Sequence, residues 1–334
     1  MSATVLCTLE LPQPFTSLVA PAAELRVLRR IPRRDELCAQ LQEHPVNALC
    51  PQLRDTIDAT VLDAGLPTLR CVSVYAVGYN NVDVDAATVR GIAVGNTPGV
   101  LTDATADCTL GLLLAAARRL REGDAELRAG RFRGWEPSYL LGLELRGAML
   151  GVIGFGRIGQ AVAHRVLACG MDVVYHDSTQ PPVDEALRSH VRQMTLDELV
   201  PRADVITLHV PLTPETHHLV DEQFLRRMKP TAVLVNTSRG PVVDERALVR
   251  ALKDGWIASA GLDVYEDEPE LAPGLAACEN AVLSPHLGSA TVKTRAAMAE
   301  LCAVNALDAL AGRLPRHCVN PEAWDGREPE PLIA

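Results

Sequence analysis

Residues 148–159 read AMLGVIGFGRIG, an apolar run that ends in Gly154-Phe-Gly156-Arg-Ile-Gly159, and the helical stretch RIGQAVAHRVLACG carries on from its last glycine turn. Strand, glycine turn and helix in that order constrain the fold more than any other part of the chain. The first glycine permits a tight turn, the second lets backbone approach a diphosphate with no Cβ in the way, and the third lets helix and strand pack closely. The diphosphate then meets the helix N-terminus, where unpaired N–H groups and the helix dipole favour negative charge. Arg157 and Ile158, inside the turn, belong with the glycines in this cofactor-binding segment.

Short β-like runs alternate with helical patterns on both sides of that turn. ATVLCTL, ELRVLRR, VNALCP, TLRCVSVY and GIAVGN precede it, and MDVVYHDS, ADVITLHVP, TAVLVNTSRG, ASAGLDVYEDEP and NAVLSPHLGSA follow. Such alternation predicts parallel sheets with helices on both faces, and 334 residues exceed what one hydrophobic core usually spans. The expected fold class is therefore α/β, with two Rossmann-like or flavodoxin-like doubly wound domains. Residues 102–130 read as one long helix opening on Thr102, and its run LGLLLAAA is apolar nearly all round, so it should be buried. A net charge of −10 argues against a general nucleic-acid or anionic-membrane binder. No apolar stretch reaches the length of a membrane span, and the N-terminus lacks a signal-peptide pattern. Nine cysteines, scattered singly with no C-x-x-C pair, indicate neither a disulfide framework nor a zinc site, so the expected setting is a reducing cytoplasm, with no metal.

The second strand of the glycine-turn series ends in VVYHDST, which places Asp177 eighteen residues after Gly159. An acidic residue there accepts hydrogen bonds from an adenosine ribose 2′-hydroxyl, whereas a 2′-phosphate would meet a carboxylate, with Ser178 where an arginine could have helped. NAD is expected over NADP.

Seven ordered blocks then carry a family likeness: YAVGYNNVD, GNTPGVLTDATAD, GVIGFGRIGQAVA, LHVPLTPETHHL, VNTSRGPVVDE, GLDVYEDEP and SPHLGSAT. The chain resembles the D-2-hydroxyacid dehydrogenases, and within them looks most like the glyoxylate/hydroxypyruvate reductases. The resemblance implies a discontinuous substrate domain of residues 1–100 plus 288–334, an inserted NAD-binding domain of residues 101–287, and an active site in an interdomain cleft. It implies NAD(H)-dependent reduction of a small 2-oxo acid to the D-2-hydroxy acid by a homodimer.

Reduction of a 2-oxo acid requires a held carboxylate, a polarised carbonyl and a proton for the alkoxide. Arg239, after the apolar run TAVLVN, has the planar fork suited to two-point contact with a carboxylate and its neighbouring carbonyl, and the resemblance gives it that role. His286 matches the family's proton donor and Glu268 the carboxylate that holds its imidazole protonated. A lone histidine is more often structural; these two companions distinguish His286 from the other eight, the His217-His218 pair included. The resemblance further assigns the substrate carboxylate to the backbone of Val77 and Gly78, and cofactor contacts to Thr102, Val210, Pro211, Thr216 and Thr237. It assigns the nicotinamide carboxamide to Asp263, close approach to the nicotinamide end to Gly288, and a reach into a neighbouring subunit's substrate pocket to Trp135.

Asn80 stands where many relatives carry Asp, and the HDST step differs from the Asn-Arg type of the NADPH-preferring members. Two alternatives share these residues: a D-3-phosphoglycerate dehydrogenase, and a non-enzymatic NAD-sensing co-repressor on the same fold.

Overall fold

Apolar runs of three to five residues become the strands of two parallel sheets. The computed structural model describes residues 3–325 and 330–333. The chain divides into two compact units, one of residues up to Leu101 together with those from Thr291 onward, the other Thr102–Ala290.

The first unit alternates β1 (Thr4–Cys7), α1 (Phe15–Val19), β2 (Glu24–Val27), α2 (Arg34–Glu43), β3 (Ala48–Cys50), α3 (Ala59–Gly65), β4 (Cys71–Ser73), α4 (Val84–Val89) and β5 (Ala93–Gly95). Its five strands pair in the order β2-β1-β3-β4-β5, all parallel. β1, β3, β4 and β5 are buried along their whole length, which is why they read as continuous apolar runs rather than as alternating ones.

The second unit opens with α5 (Thr102–Ala117) and α6 (Leu120–Arg128), then runs β6 (Met149–Ile153), α7 (Arg157–Ala168), β7 (Asp172–His176), β8 (Val191–Gln193), α8 (Leu196–Leu199), β9 (Val205–Leu208), α9 (Glu222–Arg227), β10 (Val233–Asn236), α10 (Glu245–Asp254), β11 (Ser259–Leu262) and β12 (Ala281–Leu283). These seven strands pair in the order β12-β11-β10-β9-β6-β7-β8, again all parallel. One face of the sheet packs Leu150, Val152, Val205 and Val233 under α5 and α7. The other packs Ile153, Ile206, Leu208 and Leu234 under α9 and α10. The chain then returns to the first unit through α11 (Val292–Leu310), which Thr291 caps by accepting the Thr294 N–H at 3.1 Å.

Three details differ from the sequence expectation. The helix over 102–130 is broken: Arg119 takes a left-handed conformation (φ 53°), and the Ala117 carbonyl accepts the Leu143 N–H at 2.8 Å from the returning chain. A captured carbonyl and a left-handed residue end a helix as a glycine would. The strand β8 was absent from the expected series because VRQ carries little apolar signal at a sheet edge. The second crossing falls after Ala290 rather than after residue 287, because the backbone of Leu287 and Gly288 is hydrogen-bonded to Asp263 of the second unit.

Candidate active site

In a parallel sheet every strand ends at the same edge, and ligands collect in the crevice where strand order reverses. Here the order reverses between β6 and β9, so the turns after β6, β7, β9, β10, β11 and β12 share one rim. Gly154 to Gly159 follow β6, Asp177 follows β7, Val210 and Pro211 follow β9, Thr237 and Arg239 follow β10, Asp263 follows β11 and His286 follows β12.

The glycine turn has the geometry a diphosphate needs. Gly154 has φ 89°, and a Cβ there would lie 2.7 Å from the His209 carbonyl, while a Cβ on Gly159 would lie 2.3 Å from the Gly154 oxygen. A Cβ on Gly156 would meet nothing within 4 Å, so the backbone at the helix start is open to a ligand. No side chain caps α7, although it is 12 residues long and its first-turn N–H groups face that opening. Asp177 sits across the turn and accepts the Phe155 N–H at 2.8 Å and the Thr179 N–H at 2.8 Å. Partial burial opposes its ionisation, but these bonds outweigh it and hold the carboxyl below the usual range. An NAD moiety therefore fits: diphosphate on the turn, ribose at the carboxylate.

His286 Nδ1 lies 3.0 Å from Glu268 Oε2, and the second oxygen of that carboxylate accepts the Tyr265 N–H at 3.1 Å. Burial works against the charge on Glu268. The His286 hydrogen bond and charge, the Tyr265 N–H and the charge of nearby Arg239 outweigh it and keep the carboxyl below its ordinary value. The ion pair fixes the ring so that Nε2 is the nitrogen turned away from Glu268. The Arg239 guanidinium donates to the Ser238 carbonyl at 2.7 Å. Burial pulls its pKa down and the Glu268 carboxylate offsets part of that, so it remains a cation at neutral pH. Arginine, glutamate and histidine thus come together from three adjacent strand ends.

The remaining assigned residues are dispersed. Thr237 is buried with its hydroxyl 2.8 Å from that of Thr109 in α5, and the Thr216 hydroxyl donates to the Pro211 carbonyl at 2.6 Å within the loop after β9. Thr102 is the first residue of α5. Trp135 is 83% exposed in the segment after α6. Val77 and Gly78 follow β4 in the other unit, where the Asn96 side chain donates to the Val77 carbonyl at 2.8 Å. Two residues near the rim went unnoticed in the sequence. Tyr265 sends its hydroxyl to the Ser284 carbonyl at 2.9 Å. Among the described residues neither buried ring nitrogen of the half-buried His209 finds a partner, and desolvation pushes that imidazole down to about 3. Tyr265 was legible only as part of the DVYEDEP motif; a histidine one residue past a strand carries no signal of its own.

A model of the D-isomer specific 2-hydroxyacid dehydrogenase NAD-binding domain matches residues 110–288. The chain belongs to the D-isomer specific 2-hydroxyacid dehydrogenase family. It is 43% identical over 335 residues to a glyoxylate reductase of Thermococcus litoralis, covering 98% of this chain and 100% of that one. It is 50% identical over 286 residues to a glyoxylate reductase of Korarchaeum cryptofilum, covering 85% of each. Among solved structures, an NADPH-dependent glyoxylate/hydroxypyruvate reductase from Sinorhizobium meliloti in complex with NADP and malonate superimposes with a TM-score of 0.86 at 34% identity, over 98% of this chain and 99% of that one. This dehydrogenase is therefore an oxidoreductase built on two parallel-sheet α/β domains, one of them a nicotinamide-dinucleotide-binding domain. No helix among its described residues is long and apolar enough to cross a membrane.

Proposed function

We propose that this dehydrogenase reduces glyoxylate, hydroxypyruvate or a similarly small 2-oxo acid to the D-2-hydroxy acid, with NADH as the favoured donor. The observation that carries the reading is the His286–Glu268 pair at 3.0 Å beside Arg239, on the rim that also holds the glycine turn. Bound NADH supplies a hydride to the carbonyl carbon. Arg239 holds the carboxylate and polarises the carbonyl, and His286 gives its proton to the oxygen as negative charge develops there. Glu268, 3.0 Å from Nδ1, sets the orientation of the ring. The Asp177 carboxylate supports NADH over NADPH, since a 2′-phosphate would be repelled. A family likeness to glyoxylate reductases supports the substrate class.

The same proposal includes a homodimer in the cytoplasm. Five large apolar side chains between residues 120 and 141, Leu120, Leu127, Phe132, Trp135 and Leu141, are exposed and support an interface there, with Trp135 reaching towards the partner's substrate. Nine unpaired thiols suit a reducing compartment. The decisive measurement is loss of NADH absorbance across a panel of 2-oxo acids, with NADPH in parallel and the mass in solution read by light scattering. Turnover of glyoxylate or hydroxypyruvate with NADH is expected. No turnover of any 2-oxo acid by folded, NADH-bound protein would sink the reading.

A further inference from the structure

Among the described residues His286 is one of four non-glycine residues with positive φ, at 55°. A side chain in that region strains the backbone and persists only where its surroundings leave no alternative. Most of the bonds that hold it come from Asp263 on the neighbouring strand end, beside a bond from the His286 N–H to the Ser284 carbonyl at 3.1 Å. The Asp263 carbonyl accepts the His286 N–H at 2.9 Å. One carboxylate oxygen of Asp263 accepts the Leu287 N–H at 2.7 Å together with the Ser284 hydroxyl, and the other accepts the Gly288 N–H at 2.7 Å. Residues before and after His286 are thus bound to one buried side chain that is 1% exposed. The Tyr265 hydroxyl adds a bond to the Ser284 carbonyl. Gly288 makes room for this clamp, since a Cβ there would lie 3.1 Å from the Asp263 carboxylate and 3.5 Å from the Thr105 side chain. The same segment also steadies the arginine: the Asp263 N–H donates to the Asn236 carbonyl at 2.9 Å, and a Cβ on Gly240 would fall 1.8 Å from the Tyr265 carbonyl oxygen.

We propose that Asp263 is a positioning residue for His286: its carboxylate fixes the 284–288 loop in the strained conformation that presents the imidazole to Glu268 and to the reacting carbonyl. This goes beyond a contact with the nicotinamide carboxamide, and it rests on the reading of His286 as proton donor. Three donors converge on two oxygens. An asparagine offers only one oxygen, so in either orientation its NH2 must face a peptide N–H, and the loop is released on one side.

The test is a double-mutant cycle. Asp263→Asn should lower kcat about 10- to 100-fold in the parent protein, part of the 100- to 10,000-fold that a general acid contributes. In the His286→Ala background the same substitution should cost less than about threefold, because the group it positions is gone. The NADH Kd, read by fluorescence titration without 2-oxo acid, should weaken by no more than about tenfold, the share of one carboxamide contact, so kcat at saturating NADH isolates the positioning effect. Ser284→Ala, which removes one donor and leaves the carboxylate, should act in the same direction by about three- to tenfold and serves as the cycle partner if Asp263→Asn does not fold. Equal losses in both backgrounds would overturn the positioning role alone, as would a weakened NADH Kd with unchanged kcat at saturating NADH. Unchanged turnover in His286→Ala itself would remove the proton-donor reading and the positioning role with it.

Discussion

Each sheet grows from an inner strand, β1 in one unit and β6 in the other, and the two first turns do opposite things. After β1 the chain runs Thr8-Leu9-Glu10 into a helix of five residues. The Thr8 hydroxyl donates to the Asp55 carboxylate, which also accepts the Gln52 N–H at 2.6 Å. The protein's own side chains fill that edge. After β6 the chain runs through Gly154 and Gly156 into a helix of 12 residues, with Gly159 in its first turn, that no side chain caps. That edge is left for something else to fill. Two sheets with the same parallel pairing thus differ in their first turn, one closed by the Thr8–Asp55 bond and the other open at a helix start, so a dinucleotide site follows from the turn and not from the sheet.

The sharpest way to break the contrast is at the other end of the second sheet. His286→Ala and Arg239→Ala should each lower kcat/KM for a 2-oxo acid, by about 100- to 10,000-fold for the histidine. Turnover equal to the parent in either variant would remove that residue from the mechanism. A matched pair of turn substitutions comes next. Gly159→Ala drives a Cβ against the Gly154 oxygen and should weaken NADH by about 100-fold, with about 1–3 kcal/mol of lost stability. Thr8→Val in the other unit should cost about 1–3 kcal/mol of stability and leave NADH binding alone. If both variants lost NADH equally, the two turns would not be functionally distinct. Asp177→Ala should move the NADPH-to-NADH preference by about 10- to 100-fold towards NADPH, the worth of one charged hydrogen bond. An unmoved ratio means the ribose is held elsewhere.

The smallest effect concerns acid stability. His209 sits behind the glycine turn with its imidazole pushed down to about 3, against an unfolded value of about 6.5. The unfolded chain therefore takes up a proton that the folded chain refuses. Stability contributed by keeping this ring neutral is complete above about pH 6.5 and is lost on acidification towards 3, at up to about 1.4 kcal/mol per pH unit. Urea denaturation of the parent and of His209→Asn at pH 7, 5.5 and 4 should show a shallower decline in the variant; identical slopes would mean that the ring is hydrated.

Much of this was legible because local patterns carry it. Continuous apolar runs exist wherever a parallel strand is buried on both faces, and the glycine spacing exists because a Cβ would collide with backbone at 154 and 159. The edge strand β8 and the break at Arg119 were not legible, since one has little to bury and the other depends on Leu143, 24 residues further on, reaching the Ala117 carbonyl. Asp263 shows the same limit from another side. Its place in GLDVYEDEP marked it as worth assigning, but nothing local says that its carboxylate binds backbone 24 and 25 residues away.

The order of strands, turns and helices and the dinucleotide turn were determined by the amino-acid sequence itself, because steric rules and apolar periodicity act between near neighbours, while the arginine, glutamate and histidine were marked by the motifs through which the chain resembles its family. Tertiary structure alone decided that three adjacent strand ends bring those side chains within reach of one another. It also decided that a buried carboxylate holds the histidine's loop in a conformation the loop would not adopt by itself. Hydrogen bonds between distant segments form only once parallel pairing has set the strands in register, and no local pattern encodes that register.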